Sequence, residues 1–243
     1  MDLKTRILDL LRQAHRAEQA LLATLTDVQR ATHGEPDHWS PKDTIAHNAF
    51  WKDRGAEGLE EFVQGRPLPS YDEYDKINAE IFEEYRHRPW DEILALSARA
   101  HDRLIQDVEG LTADQLLNAG PLVGQDGRPL WRKVVGAGYI HPVWHIALLY
   151  LEFGAVDRAT ALYEQMADRL PVLDEDPTWR GTIRYNLACH YALTGQTERA
   201  ISELRDALEL NPGLTEWSQQ DPDFASIRET PAYQAAYQAI YQP

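Results

Sequence analysis

The sequence contains a single cysteine, Cys189, among its 243 residues, so no disulfide can form within one chain. Disulfides are rare in reducing compartments, and this scarcity of cysteine fits a cytoplasmic protein. Because Cys189 lies in an apolar run with helical spacing, we expect it to be a small buried core residue rather than a nucleophile.

Basic residues are also scarce: 24 Lys and Arg stand against 39 Asp and Glu, which gives a formal net charge of −15. Nucleic acids and anionic membranes both attract basic surfaces, so this balance predicts that neither is a partner. We expect no apolar run long enough to approach the roughly 20 residues that span a bilayer. The amino-terminal residues show a charged amphipathic pattern rather than a signal peptide.

Two histidines stand four residues apart in the mostly apolar segment 134–152, VVGAGYIHPVWHIALLYLE. On a helix this spacing places His141 and His145 one turn apart on the same face, where two neutral imidazoles can bind one zinc, nickel or iron ion. The same pattern is also typical of core histidines that bind nothing. Pro142 predicts either that the helix begins near His141 or that it bends there.

A third histidine follows a clear helix start. The segment SPKD has Ser40 in the N-cap position, Pro41 in the first helical position and an acid three residues after the cap, which predicts a helix from 41 to about 63. His47 lies two turns into this helix and is the best candidate for a third metal ligand. Asp43, one turn earlier, can either orient a metal-bound imidazole or form a salt bridge with a half-buried one.

Four long stretches repeat apolar residues at helical spacing. Together they predict an all-α protein whose first domain, residues 1–153, is a four-helix bundle, a fold that commonly builds metal sites from facing helices. A shorter helix is expected at 76–88, between the second and third long helices. The expected long helices cover residues 3–29, 41–63, 89–111 and about 131–153.

The sequence after the bundle repeats itself, which predicts a second domain, 154–243, that shares the helix near 138–153 with the first. One copy, YNLACHYALTGQTERAISELRDALELNP, resembles a tetratricopeptide helical hairpin. We expect Phe224, Ile227 and Tyr233 to cover the last apolar face of this short array as a cap. Small residues, a glycine and a closing proline recur at equal offsets in the pairs Gly154 and Gly195, Ala159 and Ala200, and Pro171 and Pro212.

Residues 38–51, HWSPKDTIAHNAFW, together with the later motif HPVWH, resemble the DinB-like (YfiT-like) superfamily of four-helix bundles. The resemblance implies a divalent metal ion, zinc, nickel or iron, bound by His47, His141 and His145. It also implies a metal-dependent hydrolase or thiol S-transferase acting on a small electrophilic substrate, in the second case with a low-molecular-weight thiol as cosubstrate. Homodimers are the expected assembly for such bundles.

Further side chains complete the expected site. We expect Asp43 to orient His47, and Arg54, two turns beyond His47, to bind a substrate carboxylate. These two residues are the candidate catalytic side chains. The aromatic side chains near the histidines are expected to form the walls of the substrate pocket, and they are Trp39, Trp51, Tyr139 and Trp144.

Two further interpretations compete with this one. Residues 70–116 resemble the ClbS/DfsB branch of the same superfamily, which implies a metal-independent protection hydrolase for a reactive metabolite, with His141 and Trp144 as pocket residues. Alternatively, the tetratricopeptide-like region makes the chain a non-catalytic interaction protein that binds a protein partner. Such arrays need about three repeats, whereas at most two are visible here.

Overall fold

The structure, a computed structural model, describes residues 1–36 and 38–241, with side chains described as far as residue 237. Within these ranges the fold is all-α, with no β-strand and one isolated bridge between Glu35 and His38. The predicted fold class is therefore confirmed. The chain divides into two compact units, Met1–Leu149 and Tyr150–Pro243, and the division falls inside a helix.

The first unit is a helical bundle. Its helices, including the one in which the division falls, are α1 (Leu3–Leu22), α2 (Asp27–Ala31), α3 (Pro41–Val63), α4 (Tyr74–Tyr85), α5 (Trp90–Gly110), α6 (Ala113–Leu117), α7 (Leu130–Val135) and α8 (His141–Glu152). Helix α5 packs against α1 and α3, and the segment that joins α7 to α8 packs against the same two helices. Their apolar stripes meet in a common core, where Ile7, Leu104 and Val135 are buried.

Helix α3 begins as the sequence predicts. The Ser40 hydroxyl accepts a hydrogen bond from the Asp43 backbone N–H at 3.3 Å. In return, the Asp43 carboxylate accepts bonds from the Ser40 N–H at 2.9 Å and from its hydroxyl at 2.5 Å. This capping box, followed by Pro41, gives the helix a sharp start. The helix ends at Val63, so its predicted bounds are confirmed.

The first helix is shorter than predicted. It ends at Leu22 rather than at residue 29, and α2 follows as a separate short helix. Thr26 accepts a bond from the Gln29 N–H at 3.2 Å, and the Gln29 side chain accepts one from the Thr26 N–H at 2.9 Å. Because this second capping box starts a new helix, Val28 does not continue the apolar stripe of α1 and is 77% exposed.

The fourth bundle helix contains a π-helical turn, Gly136–Ile140, between α7 and α8. The His141 N–H donates to the Gly136 carbonyl, five residues earlier. In an α-helix the acceptor would be the carbonyl four residues earlier. Such turns are frequent at functional sites. The α-helical pattern resumes at His141, directly before Pro142, within a helical stretch that runs from Leu130 to Glu152.

Leu130–Glu152 is a helical stretch of 23 residues that is long and apolar enough to cross a membrane. This finding corrects the expectation that the chain has no such segment. The criterion is one of length and composition only, and 56% of the most apolar window is buried inside the protein. The core helix of a bundle has the same properties, so the stretch is weak support for a membrane span.

The second unit consists of successive helix pairs. Helix α10 packs against α9 and α11, and α11 packs against α13. Beyond the end of α8, its helices are α9 (Val156–Arg169), α10 (Pro177–Leu193), α11 (Thr197–Leu210), α12 (Thr215–Gln220) and α13 (Pro231–Tyr241), with 3-10 turns at Pro171–Leu173, Pro212–Leu214 and Pro222–Phe224.

The two copies of the repeat turn with the same backbone geometry. Gly154 and Gly195 have φ values of +70° and +74°, a region that favours glycine. The residue after each glycine donates its N–H to a carbonyl five residues earlier, Ala155 to Tyr150 and Gln196 to Tyr191, each at 2.8 Å. The structure thus shows the internal repetition, while its assignment to the tetratricopeptide family stays a prediction.

The core of the second unit contains Cys189, as the sequence predicts. Its thiol lies 3.9 Å from the Asp221 carboxylate, and burial raises the pKa of the thiol well above its ordinary value. The Asp221 carboxylate also accepts bonds from the Tyr185 hydroxyl at 2.5 Å and from Trp217 Nε1 at 3.0 Å. The raised pKa keeps Cys189 a protonated core residue.

Candidate metal centre

Three histidine side chains from two helices converge in the first unit. His47 lies in α3, while His141 and His145 lie one turn apart in α8. The Nε2 atom of His141 lies 3.0 Å from Nε2 of His47 and 3.1 Å from Nε2 of His145. Taken together, one ligand atom from each residue lies within 4.8 Å of the others. The structure therefore brings together the three histidines that the sequence singled out.

Burial keeps all three imidazoles neutral. Desolvation, together with the charges of His145 and His141, lowers the pKa of His47 to about 2. Desolvation also lowers the pKa of His145 to about 3, with an added contribution from His141, and the pKa of His141 to about 4, with an added contribution from Lys52. At neutral pH the rings are therefore in the form that binds metal.

The histidine group fits a metal ion in both donor type and spacing. Zinc binds histidine nitrogen at about 2.0–2.1 Å, so two ligands of one tetrahedral ion lie about 3.3 Å apart. The separations of 3.0 and 3.1 Å are close to this value. Three histidines leave a fourth coordination position for water or substrate, which is the arrangement of catalytic rather than structural zinc sites.

The Nδ1 atoms of two of the candidate ligands have no hydrogen-bond partner from the part of the protein that the structure describes. Nδ1 of His47 and Nδ1 of His141 are buried and have no hydrogen-bond partner among the described residues. Metal-binding histidines usually donate this N–H to a carboxylate or carbonyl, which orients the ring. No hydrogen bond joins Asp43 to His47 among the described residues: Oδ2 of Asp43 accepts from Ser40, and the orienting role of Asp43 stays a prediction.

The three histidines line a cavity of about 520 Å³ with aromatic walls. The Trp39 ring lies 4.6 Å from the His47 ring, and the Trp144 ring lies 4.7 Å from the His145 ring. Trp51 also lines the cavity, so three of the four predicted wall residues are present. Trp144 is 42% exposed, which places it at the rim.

The fourth predicted wall residue, Tyr139, is not part of this cavity. It is 2% exposed and packs in the bundle core from within the π turn. Two residues apart on a helix are about 200° apart around its axis, so Tyr139 faces away from the side that carries His141 and His145.

Arg54 also lies outside the histidine cavity. Its guanidinium donates to Glu57, stacks 4.9 Å from the Phe50 ring and lines a neighbouring cavity. Seven residues separate it from His47, which keeps nearly the same helix face but moves it about 10 Å along the axis. The role of Arg54 towards a substrate carboxylate stays a prediction.

Two cavity residues from α4, Tyr74 and Asn78, were missed by the sequence interpretation. Asn78 Oδ1 accepts a hydrogen bond from Trp51 Nε1 at 3.1 Å, and the Tyr74 ring lies 5.5 Å from the Trp51 ring. Together they hold the indole at the cavity wall. The signal that could have identified them is their position in the segment that resembles the ClbS/DfsB branch.

A buried ion pair in the bundle core was also missed. Lys52 Nζ lies 3.0 Å from Glu18 Oε2, and each side chain is 1% exposed. The Ser97 hydroxyl donates to the other Glu18 oxygen at 2.6 Å. Burial alone would raise the pKa of Glu18, but Lys52 and Ser97 outweigh it and lower the pKa. Amphipathic patterning did not reveal the pair, because lysine and glutamate are almost always surface residues.

Comparison with known families covers most of the first unit. The sequence model of the DinB superfamily matches residues 10–134, just over half of the chain. The matched range includes His47 and ends before His141, so the two histidines of α8 are placed in the group by the structure. No curated protein and no solved structure matched the chain.

Proposed function

This chain belongs to the DinB superfamily, and from that premise we propose that it is a metal-dependent enzyme whose metal ion is bound by His47, His141 and His145. Its reaction is either the transfer of a low-molecular-weight thiol to a small electrophile or the hydrolysis of such an electrophile. The observation that carries the proposal is the convergence of three neutral Nε2 atoms on one aromatic cavity.

A bound zinc, nickel or iron ion supplies Lewis acidity, which lowers the pKa of a coordinated water or thiol towards neutrality. The three histidines are neutral, so they leave the full positive charge of the ion to act on its remaining ligand. Trp39 and Trp51 offer flat apolar faces to the electrophile, and Asn78 holds the Trp51 indole in place.

The cavity supports thiol transfer ahead of hydrolysis. Among the described residues that line it there is no aspartate or glutamate, so no carboxylate stands ready as a general base. The helix motif HExxH of metalloproteases places a glutamate beside the ligands for that purpose. An ordinary thiol has a pKa of about 8.5 and water one of about 15.7, so a thiol needs less assistance to lose its proton.

The experiment compares metal-loaded protein, chelator-stripped protein and the His145→Ala variant. Chlorodinitrobenzene with cysteine, glutathione or coenzyme A reports thiol transfer, and nitrophenyl acetate reports hydrolysis. We expect turnover by the loaded wild type, loss on stripping, and recovery on return of the metal in the wild type but not in His145→Ala. The exposed His87 supplies the matched control His87→Ala. Equal turnover by stripped and loaded protein would overturn the proposal.

One observation favours a second candidate, the ClbS-like metal-independent hydrolase. His141 and Trp144 line the same cavity, as that interpretation requires. On this alternative, stripped wild-type protein keeps its hydrolytic activity, whereas Trp144→Ala loses it with or without metal. Metal dependence of the wild type therefore separates the two candidates directly.

A further inference from the structure

A second cavity, of about 240 Å³, adjoins the histidine cavity within the first unit. The two cavities share Trp51, Tyr74 and Ala137 as lining residues, so they lie side by side. None of the three histidines lines the second cavity, which follows α3 over the turns beyond Trp51. A ligand that occupies both cavities would pass along the Trp51 ring.

The walls of the second cavity are mostly apolar, and two glycines of α3 form part of them. A Cβ at Gly58 would lie 3.0 Å from Leu68 Cδ2, and a Cβ at Gly55 would lie 3.2 Å from Ala137 Cβ. Glycine inside a helix is destabilising relative to alanine. Two glycines here therefore indicate that neighbouring residues must come close to the backbone of α3. The result is a narrow, apolar slot beside the histidine cavity.

Both charged residues that line the slot are basic, although acids outnumber bases in the chain by 39 to 24. They are Arg54 of α3 and Lys133 of α7. Arg54 also donates to Glu57, and Lys133 Nζ lies 3.2 Å from Asp126 Oδ2, but neither acid lines the slot. Partly exposed pairs of this kind contribute little to stability, so both cations can turn to a ligand at small cost.

We propose that the second cavity binds the carboxylate end of a substrate whose reacting end lies in the histidine cavity. Arg54 and Lys133 bind the carboxylate through charge-assisted hydrogen bonds, and the apolar walls bind the body of the molecule. The substrate class is an organic acid with its reactive group remote from the carboxylate. The reaction at the other end of the substrate rests on the proposed function. Binding of the carboxylate in the second cavity does not require a metal ion.

The experiment measures binding by isothermal titration calorimetry, with phenylbutyrate and its neutral amide as the matched probes. We expect wild-type protein to bind phenylbutyrate more tightly than the amide. Arg54→Gln and Lys133→Gln are each expected to weaken phenylbutyrate binding about tenfold and to leave amide binding unchanged. The control Arg12→Gln removes the same charge from an exposed pair with Glu109 and is expected to change neither.

A second pair of probes identifies which reactant carries the carboxylate. Stronger binding of N-acetylcysteine than of its amide assigns the slot to the thiol cosubstrate, and equal binding of these two assigns it to the electrophile. The His145→Ala variant separates this proposal from the metal hypothesis, because we expect it to bind phenylbutyrate as the wild type does.

The proposal is overturned if wild type binds phenylbutyrate and its amide equally, or if neither binds saturably at millimolar concentration. If Arg12→Gln weakens phenylbutyrate binding as much as Arg54→Gln and Lys133→Gln do, the net charge of the protein, and not the slot, explains the weakening. Loss of phenylbutyrate binding in His145→Ala would place the carboxylate at the histidines instead of in the slot.

Discussion

Glu18 and Lys52 form an ion pair that lies almost fully inside the bundle core. A buried pair adds little net stability, since the cost of desolvation offsets the attraction between the charges. Loss of one partner is different, because it leaves the other charge buried and uncompensated. This asymmetry distinguishes the pair from the exposed ion pairs of the same chain.

We expect Lys52→Met to lower the free energy of unfolding by about 3–5 kcal/mol, because Glu18 then loses its counter-charge. Urea unfolding followed by circular dichroism measures the change. The matched control is Lys76→Met, which breaks an exposed pair with Glu73 and should cost less than about 1 kcal/mol. The double variant Glu18→Gln, Lys52→Met should lose less unfolding free energy than the two single variants lose in total. Equal losses for Lys52→Met and Lys76→Met would contradict the prediction.

His190 is expected to make the stability of the second unit depend on pH. Its ring stacks 4.2 Å from Tyr163, with Nε2 2.8 Å from the Thr160 hydroxyl. Burial lowers its pKa from 6.5 to about 4, although Glu164 opposes the shift. Between those two values the unfolded chain binds a proton that the folded chain does not, so stability falls as the pH drops through this window.

The measurement is an NMR titration of the His190 ring. We expect no protonation above about pH 5, and a loss of folding free energy between about pH 6.5 and pH 4. A ring that titrates near its ordinary value, with no change in folding, would show that burial does not control its charge.

Among the elements, the π turn Gly136–Ile140 affects the site most directly, since it sets the rotation of α8 relative to α7. Gly138 within it lies tightly against two other bundle helices. A Cβ there would lie 2.3 Å from Leu11 Cδ2 of α1 and 2.7 Å from Leu104 Cδ2 of α5. The three helices can pack this closely because glycine has no side chain.

Gly138→Ala is expected to destabilise the protein by about 1–3 kcal/mol, because the added methyl group overpacks the core. The matched variant Gly136→Ala meets no atom within 4 Å and should leave stability unchanged or raise it by up to about 1 kcal/mol. Thermal unfolding of both variants measures the difference. The same change in stability in both variants would show that helix propensity, and not packing against α1 and α5, determines the effect.

Helix starts with a capping residue were predictable from the sequence, as the Ser40 capping box shows. A cap is a local signal, because all of its atoms lie within four residues. The early end of α1 was missed because apolar spacing continues to Val28 while the Thr26 capping box interrupts the helix. Periodicity records which residues are apolar and does not record where a helix stops.

The three histidines of the candidate metal centre were also predictable, since two of them share one helix face and the third follows a clear helix start. Tyr139 was misplaced because it lies two residues before His141 and therefore on the opposite side of the helix. The Lys52 pair depends on a contact between distant segments, which leaves no pattern in a single sequence.

For the whole molecule, net charge and the apolar stretch Leu130–Glu152 make opposite predictions about membranes. We expect charge and burial to prevail, since a chain of net charge −15 is repelled by an anionic surface and much of the stretch is buried. Cosedimentation with phosphatidylserine vesicles should leave the protein in the supernatant. Recovery with neutral phosphatidylcholine vesicles would instead indicate that the apolar stretch enters the bilayer.

For the whole molecule, we expect three histidines of the bundle to bind one metal ion. Elemental mass spectrometry of purified wild-type protein, His145→Ala and the exposed-histidine control His87→Ala measures this binding. We expect near-stoichiometric zinc, nickel or iron in the wild type and in His87→Ala, and its loss in His145→Ala. Wild-type protein without metal after incubation with all three ions, or undiminished metal in His145→Ala, would contradict this expectation.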